Sequence, residues 1–269
     1  MIIGAMNNPH KKLIEQIHQF GEMNFDYLEL TVEHPYARPE LIEKKKKQIM
    51  DAISSYNLGL LSHLPWYFSI AHPYERVQKA INTEIVSAMQ VAASLGAKNM
   101  TIHTELSISP SAQGRKKMIE NSTKTLKELH KKAKGFGIDL LLETITPKSC
   151  TLEEYKQIFS EVDMGMTLDI GHAETNYPQK FEGFYKTFKN RVRHVHLHDG
   201  KGENHLAIGA GRMKIEDILK TLKKSYDDTI TLEVHASDPH YLQYSRDRVE
   251  IMWYGKHAHE KNREYMYPK

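Results

Sequence analysis

Short apolar runs alternate with longer segments of helical period along almost the whole chain. The short runs are rich in β-branched and aliphatic residues, which is typical of strands. This pattern predicts eight strands, at Ile2–Met6, Tyr27–Thr31, Gly59–His63, Asn99–Thr104, Ile138–Glu143, Gly165–Asp169, Arg193–His198 and Thr229–His235.

The segments between these runs predict helices, and several of them carry suitable end residues. Pro39 and Pro178 suit the first turn of a helix, and Thr151 precedes acidic residues as an N-cap does. Gly96 and Gly137 suit helix ends. The predicted helices are His10–Phe20, Pro39–Tyr56, Tyr74–Leu95, Gln113–Phe136, Thr151–Phe159, Pro178–Lys189, Lys214–Ser225 and Asp238–Met252.

Eight strand–helix repeats without a linker rich in Pro, Gly or Ser predict one α/β domain over residues 1–269, a closed (β/α)8 TIM barrel. A doubly wound open sheet is the alternative. No Gly-rich phosphate fingerprint follows the first strand, which disfavours the nucleotide-binding versions of that alternative. The segment 254–269 mixes aromatic, His and charged residues without a clear period, and we expect a loosely packed tail there.

Composition narrows the chemistry that such a barrel can carry. The chain has 269 residues, of which 40% are hydrophobic and 26% charged, and its formal net charge of +3 is too small to indicate nucleic-acid binding by itself. Cys150 is the only cysteine, so a metal site must use His, Asp and Glu. No apolar stretch has the length of a signal peptide or a membrane span, which predicts a cytoplasmic protein without membrane contact.

Residue types that bind metals stand at the carboxyl ends of six predicted strands, which converge on the mouth of a TIM barrel. They are His63, His103, Glu143, Asp169, His196 and Glu233. His172 lies one turn beyond Asp169, while Glu203 and His205 lie on the loop after the seventh strand. Buried carboxylates that converge without cations repel one another, whereas divalent ions satisfy them together. The sequence therefore predicts a metal site at this mouth.

Each of these residues has a structural explanation when it is taken singly. His63 or His103 can be a hydrogen-bonded core histidine, and Asp169 can cap a following turn. Glu143 and Glu233 can pair with Lys or Arg. Only their coincidence at the strand ends favours metal binding. Four neighbouring residues are predicted either to orient the ligands or to be structural, and these are His194, His198, Asp199 and His235.

Six motifs carry a resemblance to a known family: HLPWYFSIAHP, TIHTE, LLLET, LDIGHA, HVHLHD…ENHLAIGAG and LEVH. They resemble the xylose isomerase-like barrel superfamily, within the group called AP endonuclease family 2. That group contains endonuclease IV and many sugar isomerases and epimerases. The resemblance covers nearly the whole chain and implies a metal-dependent enzyme, but it does not select one reaction.

The endonuclease IV pattern implies up to three zinc ions. One would be bound by His63 and His103, with Glu143 bridging to a second ion that also takes Asp169, His196 and Glu233. The third ion would be bound by His172, Glu203 and His205. The sugar isomerase pattern implies a single Mn²⁺, Co²⁺ or Mg²⁺ on Glu143, Asp169, His196 and Glu233, with His172 near the substrate.

The chain also departs from endonuclease IV. Glu203 replaces an Asp at the third zinc, His198 replaces an Asn, Ala210 replaces a Glu, and the Gly-Gln-Gly segment after the fifth strand is missing. Trp66 stands where that enzyme has a Tyr that enters abasic DNA, which implies either an aromatic contact to substrate or the wall of a small-molecule pocket.

Two enzymatic functions follow from these patterns, and a non-enzymatic metal-binding or sugar-binding barrel ranks behind both. The leading hypothesis is a multinuclear zinc phosphoester hydrolase of DNA repair, with abasic DNA as a candidate substrate and no obligate protein partner. Glu143, Glu233 and His172 are its expected catalytic residues, and Arg212 and Lys214 are either a phosphate grip or exposed loop residues. The alternative is a single-metal sugar or sugar-phosphate isomerase or epimerase, in which Glu143 and Glu233 exchange a proton at carbon.

Overall fold

The computed structural model describes residues 1–106, 111–201 and 205–255, which form a closed barrel of eight parallel strands. Each strand pairs with the next along the chain, and the last pairs with the first. The strands are β1 Ile2–Met6, β2 Tyr27–Thr31, β3 Gly59–His63, β4 Asn99–Ile102, β5 Asp139–Glu143, β6 Gly165–Asp169, β7 Val192–Leu197 and β8 Thr229–Leu232. The predicted TIM barrel is confirmed, and an open sheet is excluded.

Three strands are shorter than predicted at their carboxyl ends. β4 stops at Ile102, so His103 follows the strand, and β7 stops at Leu197, so His198 follows it. β8 stops at Leu232, which puts Glu233 on the loop that leads to the last helix. Side chains just past a strand end face the barrel mouth without being held in the sheet.

The helices surround this barrel. In the described residues they are α1 Leu13–Glu22, α2 Pro39–Ser55, α3 Glu75–Ser94, α4 Ala112–Gly135, α5 Leu152–Glu161, α6 Ile170–Asn176, α7 Lys180–Phe188, α8 Ile215–Leu222 and α9 His240–Tyr254. α8 shows why they pack: Ile215, Ile218, Leu219 and Leu222 are all buried, at a spacing that forms one apolar face. None of these helices is long and apolar enough to cross a membrane.

Most of the predicted helix ends are found in the structure. Pro39 opens α2, Thr151 forms a capping box with Glu154 at the start of α5, and Gly96 and Gly137 follow helices with φ of 93° and 75°. The helix predicted at Pro178–Lys189 is found as α7, but Pro178 lies two residues before its start rather than in its first turn. A helix not predicted from the sequence, α6, begins directly at the end of β6, and α7 starts only at Lys180.

The interior of the barrel is unusually polar for a fold whose centre is commonly filled by branched aliphatic side chains. Thr101 and Thr167 lie on non-adjacent strands, and their hydroxyls are 2.9 Å apart across the interior. The Tyr27 hydroxyl is 2.8 Å from that of Thr231. The ring of Tyr27 occupies the space beside Gly4, where an added Cβ would lie 2.2 Å from it.

Residues 256–269 lie outside the described part of the chain. The extension of the single domain over residues 1–269 and the loose packing of the tail 254–269 therefore stay predictions. Tyr254, the first residue of that predicted tail, is the last residue of α9.

Candidate metal centre

A cavity of about 770 Å³ opens at the carboxyl-terminal mouth of the barrel. Trp66 lies at this cavity with its side chain 60% exposed, as expected for an aromatic wall rather than a core residue. Six predicted ligands line the cavity: His63, His103, Glu143, His172, His205 and Glu233. Asp169 and His196 are fully buried and contact members of this set.

Glu143, at the end of β5, is the centre of the contacts. Its Oε1 lies 2.7 Å from His196 Nδ1, while its Oε2 lies 3.1 Å from His63 Nε2 and also contacts His103 Nε2. Although burial opposes ionisation, the positive charges of His196 and His103 hold the pKa of Glu143 well below its ordinary value. Glu143 is therefore a carboxylate with both of its oxygens directed at ring nitrogens.

Glu233 approaches the same histidine from the loop after β8. Its Oε1 lies 3.4 Å from His196 Nδ1, and its Oε2 lies 3.4 Å from His205 Nδ1. Burial raises the pKa of Glu233 to about 8, and the negative charges of Glu143 and Asp169 act in the same direction. A cation bound between these carboxylates would remove that repulsion.

Asp169 lies at the end of β6, and its two carboxylate oxygens have different surroundings. Oδ1 accepts the backbone N–H of His172 at 2.6 Å, which caps α6, and it lies 3.3 Å from His198 Nε2. Oδ2 is buried and has no hydrogen-bond partner among the described residues. A buried carboxylate oxygen left without a donor is costly, and a metal ion is a suitable partner for it.

The tautomer of His63 also suits a metal ligand. Its Nδ1 lies 2.7 Å from the carbonyl oxygen of Leu64, which can only accept a hydrogen bond, so Nδ1 carries the proton. Nε2, which lies 3.1 Å from Glu143 Oε2, is then the nitrogen that would bind a metal in place of a proton, as in metal-binding histidines oriented by a carbonyl. His63, Glu143, His196 and Glu233 each offer one donor atom, and these atoms all lie within 4.8 Å of one another. This donor set fits a divalent metal ion.

Three histidines form a neighbouring cluster. Donor atoms of His172, His198 and His205 lie within 4.8 Å of one another. His205 has a left-handed φ of 60°, and burial lowers its pKa to about 3, with the positive charge of His198 acting in the same direction. Glu203, the third predicted ligand of this group, lies outside the described residues, so its assignment stays a prediction. His235 stacks on His205 with 4.3 Å between ring centroids.

Two of the uncertain residues have structural partners. His198 Nδ1 accepts the backbone N–H of His205 at 2.9 Å. Asp199 accepts four backbone N–H groups, from Gly200, Gly209, Gly211 and Met213, at 2.8 to 3.1 Å. A carboxylate that accepts four backbone N–H groups stabilises the conformation of the loop, so these contacts agree with a structural role for Asp199.

Arg212 and Lys214 are exposed, and neither is among the residues that line the cavity. The assignment of Arg212 as a substrate contact therefore has no geometric support within the described residues. Both readings left open for this pair, a phosphate grip and exposed loop residues, stay predictions.

Sequence reasoning missed Glu29. Its side chain is fully buried inside the barrel, 2.9 Å from His194 Nε2 and 3.1 Å from His196 Nε2. A signal was present, because Glu29 interrupts the otherwise apolar centre of the run YLELT, and a glutamate is rarely buried without a partner.

The xylose isomerase-like TIM barrel family matches residues 17–253. The chain belongs to this family. An uncharacterized protein of Methanocaldococcus jannaschii, MJ1311, is 30% identical over 239 residues, which are 83% of this chain and 79% of that protein.

Two further proteins resemble the chain more distantly. The fructoselysine 3-epimerase of Escherichia coli O157:H7 is 23% identical over 253 residues, covering 86% of this chain and 88% of that enzyme. The crystal structure of a D-tagatose 3-epimerase-like protein superposes with a TM-score of 0.80 at 24% identity, covering 99% of this chain and 100% of the other. This superposition supports the same barrel fold.

Proposed function

We propose that this protein is a divalent-metal-dependent epimerase or isomerase of a sugar. The observation that carries the proposal is the convergence of two buried glutamates on one ring nitrogen, with Glu143 Oε1 at 2.7 Å and Glu233 Oε1 at 3.4 Å from His196 Nδ1. Both carboxylates line a cavity whose volume is typical of small-molecule sites. The names of the fructoselysine 3-epimerase and of the D-tagatose 3-epimerase-like protein support a sugar as the substrate.

The proposed ligands of a single ion are Glu143, Asp169, His196 and Glu233, the set that the sugar isomerase pattern implies. Donor atoms of Glu143, His196 and Glu233 converge together with that of His63, while Asp169 shares a second group of converging donor atoms with His198 and Glu233. When bound, a divalent ion would polarise the carbonyl and adjacent hydroxyl oxygens of the sugar, which makes the neighbouring C–H bond more acidic. Imidazole and carboxylate ligands bind Mn²⁺, Co²⁺, Zn²⁺ and Mg²⁺, so the identity of the bound metal has to be measured on the purified protein.

The glutamates would move the proton. One of the pair Glu143 and Glu233 takes a proton from the carbon beside the carbonyl, and the electrons of the C–H bond shift toward the carbonyl oxygen. The other, in its acid form, gives a proton to the opposite face of the same carbon, which restores the carbonyl and inverts the centre. Exchange with water then resets the two carboxyl groups. His172 and Trp66 are proposed as substrate contacts.

Solvent exchange tests this proposal directly. The protein is stripped of metal, reloaded separately with Mn²⁺, Co²⁺, Mg²⁺ or Zn²⁺, and incubated in D₂O with ketoses and ketose phosphates. We expect NMR to show metal-dependent incorporation of deuterium beside the carbonyl and the appearance of an epimer or isomer. Glu143→Gln and Glu233→Gln should each slow the exchange by about 10²- to 10⁴-fold, the usual contribution of a positioned acid or base.

Glu250→Gln is the matched control, because Glu250 is also a buried glutamate but lies on α9 and pairs with Arg246 at 3.2 Å. It should retain the exchange rate of the unaltered protein. No exchange with any ketose tested under any metal, or full exchange in both active-site variants, would refute the proposal.

The second candidate is phosphoester hydrolysis, and it is favoured by donor atoms beyond the four proposed ligands. His63 and His103 both direct Nε2 at Glu143, and His172 and His205 lie in a second cluster. Three zinc ions per chain with nicking of abasic DNA, abolished in His205→Ala, would support this function. A single bound ion, with ketose exchange retained in His205→Ala, would support the epimerase or isomerase.

A further inference from the structure

Glu29 is a buried carboxylate in the middle of the barrel, below the proposed metal ligands. It belongs to β2, and its side chain is 0% exposed. Its carboxylate faces two histidines of β7, a strand separated from β2 by β1 and β8 in the closed barrel. A charge in such a place is tolerated only when it is well paired, so its partners indicate its role.

Both oxygens of Glu29 are used by these rings. His196 Nε2 lies 3.1 Å from Oε1 and 3.1 Å from Oε2, and His194 Nε2 lies 2.9 Å from Oε2. The Nδ1 of His194 lies 2.8 Å from the Thr229 hydroxyl, which can donate to it. An ionised carboxylate only accepts hydrogen bonds, so each histidine presents an N–H at Nε2 to Glu29.

This arrangement decides which nitrogen His196 can offer to a metal. Nδ1 also faces an ionised carboxylate and carries a proton when no ion is bound, but Glu29 holds the proton on Nε2, so Nδ1 is the nitrogen that would give up its proton to bind an ion. Nδ1 is the atom that faces Glu143 at 2.7 Å and Glu233 at 3.4 Å. The hydrogen bond to Glu29 therefore selects Nδ1, the nitrogen on the side of Glu143 and Glu233, as the donor atom that His196 would offer to a metal.

Glu29, His194 and His196 could themselves be read as a metal site, because their donor atoms lie within 4.8 Å of one another. Their packing argues against that reading. All three are fully buried, none is among the residues that line the cavity, and their facing atoms already form hydrogen bonds. An ion there would have to displace these hydrogen bonds at a place that the cavity described above does not reach.

We infer that Glu29 is a positioning residue, which fixes the tautomer and orientation of His196 and places one negative charge behind the metal ligand. The inference rests on the proposed metal-dependent function but not on the identity of the sugar. Carboxylate partners of metal-bound histidines contribute about 10- to 100-fold to metal affinity. Glu29 touches neither the cavity nor the proposed substrate, so it acts only through His196.

Metal affinity of the Glu29→Gln variant tests this inference without using activity. Dissociation constants for Mn²⁺ and Co²⁺ are measured by chelator competition, and the visible spectrum of bound Co²⁺ reports the ligand geometry. We expect about 10- to 100-fold weaker binding and an altered Co²⁺ spectrum, because Gln keeps one oxygen acceptor but loses the charge. Affinity within threefold of the unaltered protein, with the same spectrum, would overturn the inference.

Thr101→Val is the matched control. Thr101 is also buried in the barrel interior, where its hydroxyl pairs with Thr167 and not with the histidines. The variant perturbs the same polar interior, and we expect metal affinity within threefold of the unaltered protein. An equal loss in Thr101→Val and Glu29→Gln would show that the effect is general destabilisation, and would overturn the inference.

The unaltered protein provides a second measurement that does not depend on the folding of a variant. In protein labelled with ¹⁵N-histidine and loaded with Zn²⁺, the signals of His196 should show a proton on Nε2 and the metal on Nδ1. A proton on Nδ1, or zinc on Nε2, would overturn the inference while leaving the proposed function standing. Failure of the unaltered protein to bind any divalent metal would overturn both.

Discussion

The substitution Gly171→Ala should displace the ring of His198, which contacts the proposed metal ligand Asp169. Gly171 is the second residue of α6, and the imidazole of His198 lies where its Cβ would be, with ring atoms at 2.1, 2.3 and 2.4 Å. Carbon atoms in contact are normally about 3.5 Å apart or more, so in Gly171→Ala the ring must move by about 1.4 Å. The ring is held by the 3.3 Å contact with Asp169 and by the N–H of His205 at 2.9 Å.

The expected cost follows from these contacts. Overpacking costs about 1–3 kcal/mol, and each of the two contacts of His198 contributes about 1 kcal/mol. The higher helix propensity of alanine offsets about 1 kcal/mol of this destabilisation. The net destabilisation is about 2–4 kcal/mol, which corresponds to a fall in Tm of roughly 5–15 °C for a domain of this size.

Differential scanning calorimetry of the metal-free protein measures this change, and Gly135→Ala provides the control. Gly135 ends α4, and an added Cβ there meets no atom within 4 Å. The same substitution should therefore stabilise the protein by about 0.4–1 kcal/mol at this position. A Tm of Gly171→Ala equal to or above that of the unaltered protein would refute the reasoning about His198.

Two further predictions concern the metal and the cysteine. Binding of a divalent ion to the folded state should raise Tm. The added stability should be about 2.7 kcal/mol when the free ion is at 100 times its dissociation constant. A thermal shift that does not grow with metal concentration would contradict the site. Burial raises the pKa of the Cys150 thiol, so it should resist a thiol reagent at pH 8 in the native protein and react as one thiol per chain in denaturant. Because folding favours the neutral thiol, its contribution to stability should be complete below about pH 8.5 and fall as the pH rises further, which denaturant titrations at pH 8 and pH 10 would detect.

The barrel and its mouth were accessible from the sequence because they depend on local patterns. Apolar runs and helical segments alternate eight times, and a parallel barrel brings every strand end to one side. That geometry places Glu143 beside His196 although the two residues are 53 positions apart along the chain. The prediction needed only the strand ends, and errors of one to three residues in the boundaries did not change which side chains reach the mouth.

Features that depend on contacts across the barrel were not accessible in this way. α6 was missed because its start depends on Asp169 accepting the N–H of His172 rather than on a helical period. Glu29 was missed because its partners are on β7, 165 and 167 positions away. Neither hydrogen bond leaves a periodic trace in the sequence. The glutamate in YLELT signals a buried carboxylate, but its partners on β7 are seen only in the closed barrel.

The glycines of the motif IGAG lie near the site, but their role is to stabilise the loop rather than to bind a ligand. Gly209 and Gly211 donate their N–H groups to Asp199, and an added Cβ on Gly211 would lie 2.2 Å from its Oδ1. Asp199 also exchanges both backbone hydrogen bonds with Leu206, which folds the loop back over the end of β7. His205 precedes Leu206 and is thereby carried to the barrel mouth. These amides are occupied by a carboxylate of the chain, so the Gly-rich segment positions His205 and is not a phosphate cradle.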